Sequence, residues 1–295
     1  IYTNRSMPKE SALCTAHAQA KASCLQLPQL RLQGPLACFQ DACLLVVGGH
    51  APEAAWLREA AKGREVWAVD HGLDACLAAG IRPQRLIGDG DSAAPAAWQL
   101  AKEQHIPIEQ FPVEKDDTDT QLALRLAREA GFPAAIVTGA FGGRFDHALS
   151  TVTSCAFAPL PCLLADEREA LAFVRGGETL SCRPAKAPKA ISLLPFTPRC
   201  EGVNLTGTHW PLADATLEAR SMRAISNVLE PGSTSLTLSL TSGLLGPSFD
   251  KPIALAYVDA QHAAVGTRVN AIVRGKAVPM EVCATPFVPT RYYRG

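Results

Sequence analysis

The sequence predicts an α/β fold, a parallel sheet sandwiched by helices, followed by an all-β, sandwich-like domain. Two observations carry this. Between residues 43 and 175, short apolar runs alternate with segments of helical spacing, the pattern of a parallel sheet whose strands are buried on both faces. After about residue 180 the helical period gives way to Ser/Thr-rich alternation divided by Pro and Gly, which marks a sandwich or barrel. With 295 residues and 47% hydrophobic side chains, the chain has ample material for a buried core.

The elements follow in order. Residues 1–40 show no clean period and read as an extension with short helical pieces. CLLVVGG (43–49) is an apolar run closed by glycines, PEAAWLREAAK (52–62) has helical spacing, and EVWAVD (65–70) is a run again. GLDACLAAG (72–80) is helical, RLIGD (85–89) a run, SAAPAAWQLAKEQ (92–104) helical and IPIEQFP (106–112) extended. TDTQLALRLAREAG (118–131) is an amphipathic helix with its apolar stripe expected at Leu122, Leu126 and Ala130. AAIVTGA (134–140) is a buried strand, HALSTVTSCAFA (147–158) a helix and PCLLADE (161–167) a strand. Further on, AISLLPFT, ATLEARS and STSLTLSLTSG are strand patterns, with SLTLSL at 235–240 the clearest. The expected organisation is an extension (1–40), an α/β domain (41–178), a β domain (179–245) and a β tail (246–295).

Composition narrows the function. Lys+Arg and Asp+Glu balance at 28 each, so a small-molecule partner is expected rather than nucleic acid or a membrane surface. The ten cysteines form no CxxC and no zinc-site spacing with His, and several sit in apolar runs. They read as reduced core thiols of a cytoplasmic protein. No apolar stretch reaches the roughly 18 residues that span a bilayer. The chain begins at Ile1 with its first Met at position 7, so either Met7 is the natural start or the chain is a fragment.

In a parallel α/β sheet, ligands collect beyond the carboxyl ends of the strands, and acidic stretches lie there. Asp70 ends the second run, Asp89 and Asp91 the third, and Asp116, Asp117 and Asp119 follow the fourth at the mouth of a helix. A rim crowded with carboxylates needs a cation to neutralise it. Oxygen donors without Cys or His select magnesium or a similar hard ion, which bridges carboxylates to substrate phosphates. Lys115 and Arg144 add positive charge for phosphate oxygens, and Gly142 and Gly143 let backbone amides approach them. Neither a Walker A motif nor a GxGxxG fingerprint is present. The residues thus imply magnesium-dependent phosphate transfer outside the P-loop and dehydrogenase classes.

The ordered series VDHG (69–72), GDGDS (88–92), KDDTDTQLAL (115–124), GGRFDH (142–147), LLADE (163–167), ISLLP (191–195), TGTHWPL and ISN resembles the thiamine pyrophosphokinase family over residues 42–245. The resemblance implies transfer of pyrophosphate from ATP to the thiamine hydroxyl, giving thiamine diphosphate and AMP. It places Asp89, Asp91, Asp116 and Asp119 around the reacting phosphates, with Asp89, Asp91 and Asp116 as magnesium ligands. Asp70, Ser92, Lys115, Thr118, Arg144, Asp146 and His147 fall in nucleotide-binding segments. Trp210 matches the aromatic that packs on thiamine, and Ser226 and Asn227 match the pair bordering its aminopyrimidine. A homodimer is implied, with the site between subunits. His71 departs from the family, which has Gly there. The tail, with KPIALAYV, VGTRVNAIVRGK and PFVPTRY, resembles the C-terminal segment of the glycine-cleavage aminomethyltransferase. A pyrophosphokinase for another hydroxymethyl heterocycle, such as a pterin, and a non-catalytic nucleotide- or thiamine-binding relative stay open as alternatives.

Overall fold

The computed structural model describes residues 24–34, 39–88, 95–111, 116–240, 244–246, 251–253, 264–273 and 276–282. In chain order, its first part contains β1 (Cys24–Leu27), β2 (Leu30–Gln33), β3 (Cys43–Val46), α1 (Ala54–Ala61), β4 (Val66–Val69), α2 (Gly72–Ala78), β5 (Arg85–Gly88), α3 (Pro95–Glu103), β6 (Ile108–Gln110), α4 (Asp119–Glu129), β7 (Ala135–Thr138), α5 (Phe145–Ala156), β8 (Cys162–Ala165) and β9 (Ala170–Ala172). Then follow β10 (Thr179–Pro184), β11 (Arg199–Thr206), β12 (Leu212–Glu218) and β13 (Leu236–Leu240).

One sheet runs β6-β5-β4-β3-β7-β8-β9. It is parallel from β6 to β8, and β9 joins β8 antiparallel. Strands β3, β4, β7 and β8 are buried along their whole length, which is why they read as unbroken apolar runs. Alternate side chains serve opposite faces. Leu44, Val46, Leu86 and Ile136 pack with Trp56, Leu57, Leu73, Cys76 and Trp98 of α1–α3. Cys43, Leu45, Trp67, Val137 and Leu164 pack with Ala123, Leu124 and Ala127 of α4 and Cys155 of α5. Each fully buried leucine contributes about 1.5–3 kcal/mol, so both faces must be covered. The parallel α/β sheet with its helices is therefore as the sequence predicts.

The chain leaves β3 outward through β4, β5 and β6, then returns to place β7 on the other side of β3. The order reverses between β3 and β7, the point at which ligands enter open α/β sheets.

Two expectations need correction. The inward face of α4 is Thr120, Ala123, Leu124 and Ala127, flanked by Leu122, whereas Leu126 is only half-buried and Ala130 is exposed. Small alanines face the sheet because they let the helix axis come close. Residues 24–33 are also not helical. They form a hairpin whose Leu25, Leu27, Leu30 and Leu32 are buried while Gln26 and Arg31 face out.

That hairpin belongs to a second, antiparallel sheet of order β1-β2-β10-β13-β11-β12. Its leucines join the core over α1–α3. Gln29 at its turn donates from Nε2 to the Asp166 carbonyl at 2.5 Å and accepts from Trp56 Nε1 at 2.7 Å. The strand expected at AISLLPFT is reduced to one bridge, Ile191 to Asn227. Pro195 and Pro198 lack the N–H a ladder needs.

Beyond residue 243 the chain forms a separate unit. It contains β14 (Leu244–Gly246) antiparallel to β15 (Lys251–Ile253), and β16 (Arg268–Val273) antiparallel to β17 (Lys276–Glu281).

Candidate functional site

The carboxyl ends of the strands are drawn together by close backbone approaches. Gly49 N–H donates to Gly139 O at 2.7 Å and His50 N–H to Phe141 O at 2.9 Å, which zips the loop after β3 to the loop after β7. A Cβ on Gly49 would stand 2.3 Å from Gly139 O, and one on Gly139 would stand 2.3 Å from Val47 O. Glycine is required at both. His50 stands over Gly142, whose φ is 72°, so that a Cβ there would be 2.2 Å from the ring's Nδ1. Composition and spacing alone do not single out His50. Its signal was the Gly-Gly-His that closes the first apolar run beside the reversal point.

Asp70 follows β4 with φ at 48°, a left-handed conformation that Asp tolerates better than most residues. Its N–H donates to Ile87 O at 3.0 Å, and its Oδ1 lies where a Gly88 Cβ would be, 1.9 Å from that position. Asp70 is therefore pressed against the end of β5, immediately before Asp89. Asp89, Asp91, Ser92 and Lys115 lie outside the described residues. His71, exposed, begins α2 and has its Cβ 3.1 Å from a Cβ placed on Gly48.

Asp116 is exposed and Asp119 half-buried in the first turn of α4, where the helix dipole favours negative charge. Thr118 caps this helix. Its Oγ1 accepts from Gln121 N at 3.3 Å, and Gln121 Oε1 accepts from Thr118 N at 2.9 Å, a reciprocal capping box. Asp117 turns away to Arg125 at 2.8 Å. Three acidic residues of one motif thus have three different surroundings.

At the start of α5, Arg144 forks onto Asp146, Nε to Oδ1 at 3.2 Å and Nη2 to Oδ2 at 2.6 Å. His147 N–H donates to the same Oδ1 at 3.0 Å. The hydrogen bond from Arg144 holds the Asp146 carboxyl below the usual carboxylate range, and the pair raises Arg144 in turn. Both side chains are largely exposed, so the pair presents the guanidinium to solvent and adds little stability.

A second group lies in the β domain. Trp210 is 59% exposed, with the His209 ring edge-on at 4.7 Å between centroids. Asn227 is buried beneath it and Ser226, at φ 59°, is exposed. Ser226 N–H donates to Ser192 Oγ at 3.1 Å.

Cys76, buried, and Cys182, partly buried, have no part in either group. Burial pushes Cys76 up to about 12 and Cys182 up to about 11, so both stay protonated and inert. Among the described residues no three His, Cys, Asp or Glu side chains converge as a metal cluster. The acidic donors that are described, Asp70, Asp116 and Asp119, are oxygen donors without sulfur beside them, a chemistry that fits a hard divalent cation.

Residues 58–158 match the thiamin pyrophosphokinase catalytic domain and residues 178–245 the thiamin pyrophosphokinase vitamin B1 binding domain. Residues 239–289 match the glycine cleavage T-protein C-terminal barrel domain. The thiamine pyrophosphokinase of Bacillus subtilis is 29% identical over 164 residues, 55% of this chain and 76% of that protein. The aminomethyltransferase of Saccharopolyspora erythraea is 43% identical over 72 residues, 24% of this chain but only 19% of its own length. Among solved structures, thiamine pyrophosphokinase from Bacillus subtilis superposes with a TM-score of 0.61 at 24% identity, covering 68% of this chain and 95% of that one. A thiamin pyrophosphokinase family protein from Enterococcus faecalis gives a TM-score of 0.52 at 25% identity with the same coverage. The resemblance read from the ordered motifs, in both its parts, is borne out, as is the fold class.

Proposed function

The chain carries, in order, both domains of the thiamin pyrophosphokinase family, and from that premise we propose that it transfers pyrophosphate from ATP to the hydroxyl of thiamine, releasing AMP. The observation that carries this reading is the pairing of two unlike surfaces in one chain, a charged rim on the parallel sheet and an exposed tryptophan in the following β domain.

On this reading Asp89, Asp91 and Asp116 hold magnesium, which when bound offsets the charge of the phosphates. Asp119 completes the acidic rim and Asp70 fixes the end of β5 from which Asp89 departs. Lys115, Ser92, Arg144 and the amides of Gly142 and Gly143 take phosphate oxygens, with Asp146 aiming the Arg144 fork. Thr118 acts by capping α4 and His147 by closing the Arg144–Asp146 turn. Trp210 stacks on the cationic thiazolium, and the Ser226–Asn227 turn borders the pyrimidine, with the exposed Ser226 as the side chain that faces it. The thiamine hydroxyl oxygen bonds to the β-phosphorus, giving up its proton to solvent, as the bond from that phosphorus to the oxygen shared with the α-phosphate breaks. AMP leaves with that oxygen. Positioning and charge neutralisation supply most of the acceleration in such chemistry.

The protein is further proposed to work as a homodimer in the cytoplasm. Phe145 and Leu149, four apart on α5, are 79% and 52% exposed, and Met222 and Ile225, in the same domain as Trp210, are about half exposed. A second copy would cover such surface. Every described cysteine is a free thiol, which suits a reducing compartment. Among the described residues no helix is long and apolar enough to cross a membrane.

The test is product analysis with ATP, magnesium and thiamine. Thiamine diphosphate and AMP should appear one to one, and excess EDTA should stop both. Formation of ADP with thiamine monophosphate would exclude pyrophosphoryl transfer.

A further inference from the structure

Asn227 is 7% exposed, yet its side chain is spent on the main chain of a residue that is 59% exposed. Its Nδ2 donates to Trp210 O at 2.8 Å, and its Oδ1 accepts from Trp210 N at 3.1 Å and from Val228 N at 2.9 Å. A side-chain amide oxygen has two acceptor sites, so both are filled. The Asn227 main chain is also committed, exchanging bonds with Ile191 at 2.7 and 2.8 Å. Around it, His209 N–H donates to Val228 O at 2.9 Å and Thr208 bridges Leu229. Trp210 precedes Pro211, which has no N–H, and β12 begins only at Leu212. The tryptophan therefore stands where no sheet ladder can fix its main chain, and the buried amide takes the ladder's place.

We propose that Asn227 is a positioning residue that sets the Trp210 ring through its main chain, rather than a group that reads the substrate. This rests on the proposed function, in which Trp210 is the platform for thiamine. Ser226, exposed at the edge of the same turn, is then the member of the pair left to face a ligand.

The experiment is a double-mutant cycle on the full chain with thiamine KM, ATP KM and kcat as readouts. Trp210→Ala should raise thiamine KM about tenfold. Asn227→Ala should raise it about fivefold, with kcat and ATP KM within about twofold. Asn227→Asp should do the same, because it keeps the acceptor but sets a carboxylate oxygen against Trp210 O. In the Trp210→Ala background, Asn227→Ala should add less than about twofold, since no ring remains to be placed. Equal effects in both backgrounds would mean that Asn227 touches substrate and would overturn the proposal, while leaving the platform intact. No effect of Trp210→Ala would remove the platform and the proposal together. A second readout is independent of activity and uses the near-isosteric Asn227→Asp if the alanine variant fails to fold. Trp56, Trp67 and Trp98 are buried, so acrylamide-quenchable fluorescence belongs to Trp210. Quenching should change in the Asn227 variant, and unchanged quenching would overturn the proposal.

Discussion

At the ends of β3, β4 and β7, turns are built on glycines, and one backbone lies directly against the next. A Cβ on Gly72 would stand 1.7 Å from Val46 O, and at Gly49 and Gly139 the nearest carbonyl oxygen would be 2.3 Å away. On either side of β12, at Thr208–Pro211 and Ala219–Glu230, the chain is irregular, and side chains do the tying, with Asn227 and Ser192 bonding main-chain groups of Trp210 and Ser226. In the proposed function the first region offers charges and amides to phosphates. The second leaves one large ring in solvent. Rigid backbone suits a polyanion that must be met at several points, and a strapped loop suits a single flat contact.

The largest expected effect separates these regions by charge. Asp116→Asn keeps the side chain's shape and removes its negative charge, and should lower turnover by about 10²–10³-fold with the melting temperature held. Magnesium titration of AMP release checks it, and full activity at saturating magnesium would remove Asp116 from the rim. Next is Trp210→Ala, expected to raise thiamine KM about tenfold and leave ATP KM in place. An ATP defect of the same size would mean that the ring supports the fold.

These contrasts also show what the sequence made legible. The buried strands were visible because parallel strands covered on both faces admit only apolar side chains, and the acidic motifs because each follows such a run. The inward stripe of α4 does not follow its large side chains: Ala123 and Ala127 are fully buried in the core, whereas Leu126 is half-buried. The hairpin at 24–33 alternates in CLQLPQLRLQ, but its partner β10 lies some 150 residues away in the chain, a pairing no local pattern encodes. AISLLPFT has strand-like residues and too few N–H groups in the right places. Of the candidate site, residue types were readable and their partners were not. Nothing local distinguishes Asp117, tied to Arg125, from Asp116, or shows that the amide of Asn227 is already engaged.

Smaller effects test the same distinction. Gly72→Ala would force α2 off β3, costing about 1–3 kcal/mol and lowering the melting temperature. An unchanged midpoint would mean that the rim backbone is not closely held. Smallest of all is Asp117→Asn. Its partner Arg125 is 53% exposed at the side chain, and a surface pair of this kind contributes well under about 1 kcal/mol. Turnover should stay within about twofold, measured beside Asp116→Asn in one assay. A loss as large as that of Asp116→Asn would show that the motif acts as a block of charge and not residue by residue.

The most direct measurement offers the protein a choice of alcohols. Equimolar thiamine and hydroxymethylpterin are supplied with magnesium and ATP labelled at the β-phosphorus, and products are followed by chromatography. The proposed function, with a charged rim for phosphates and Trp210 for a cationic ring, predicts that the label passes to thiamine, with one AMP formed per thiamine diphosphate. Label on the pterin, or AMP-free binding of thiamine, would contradict it.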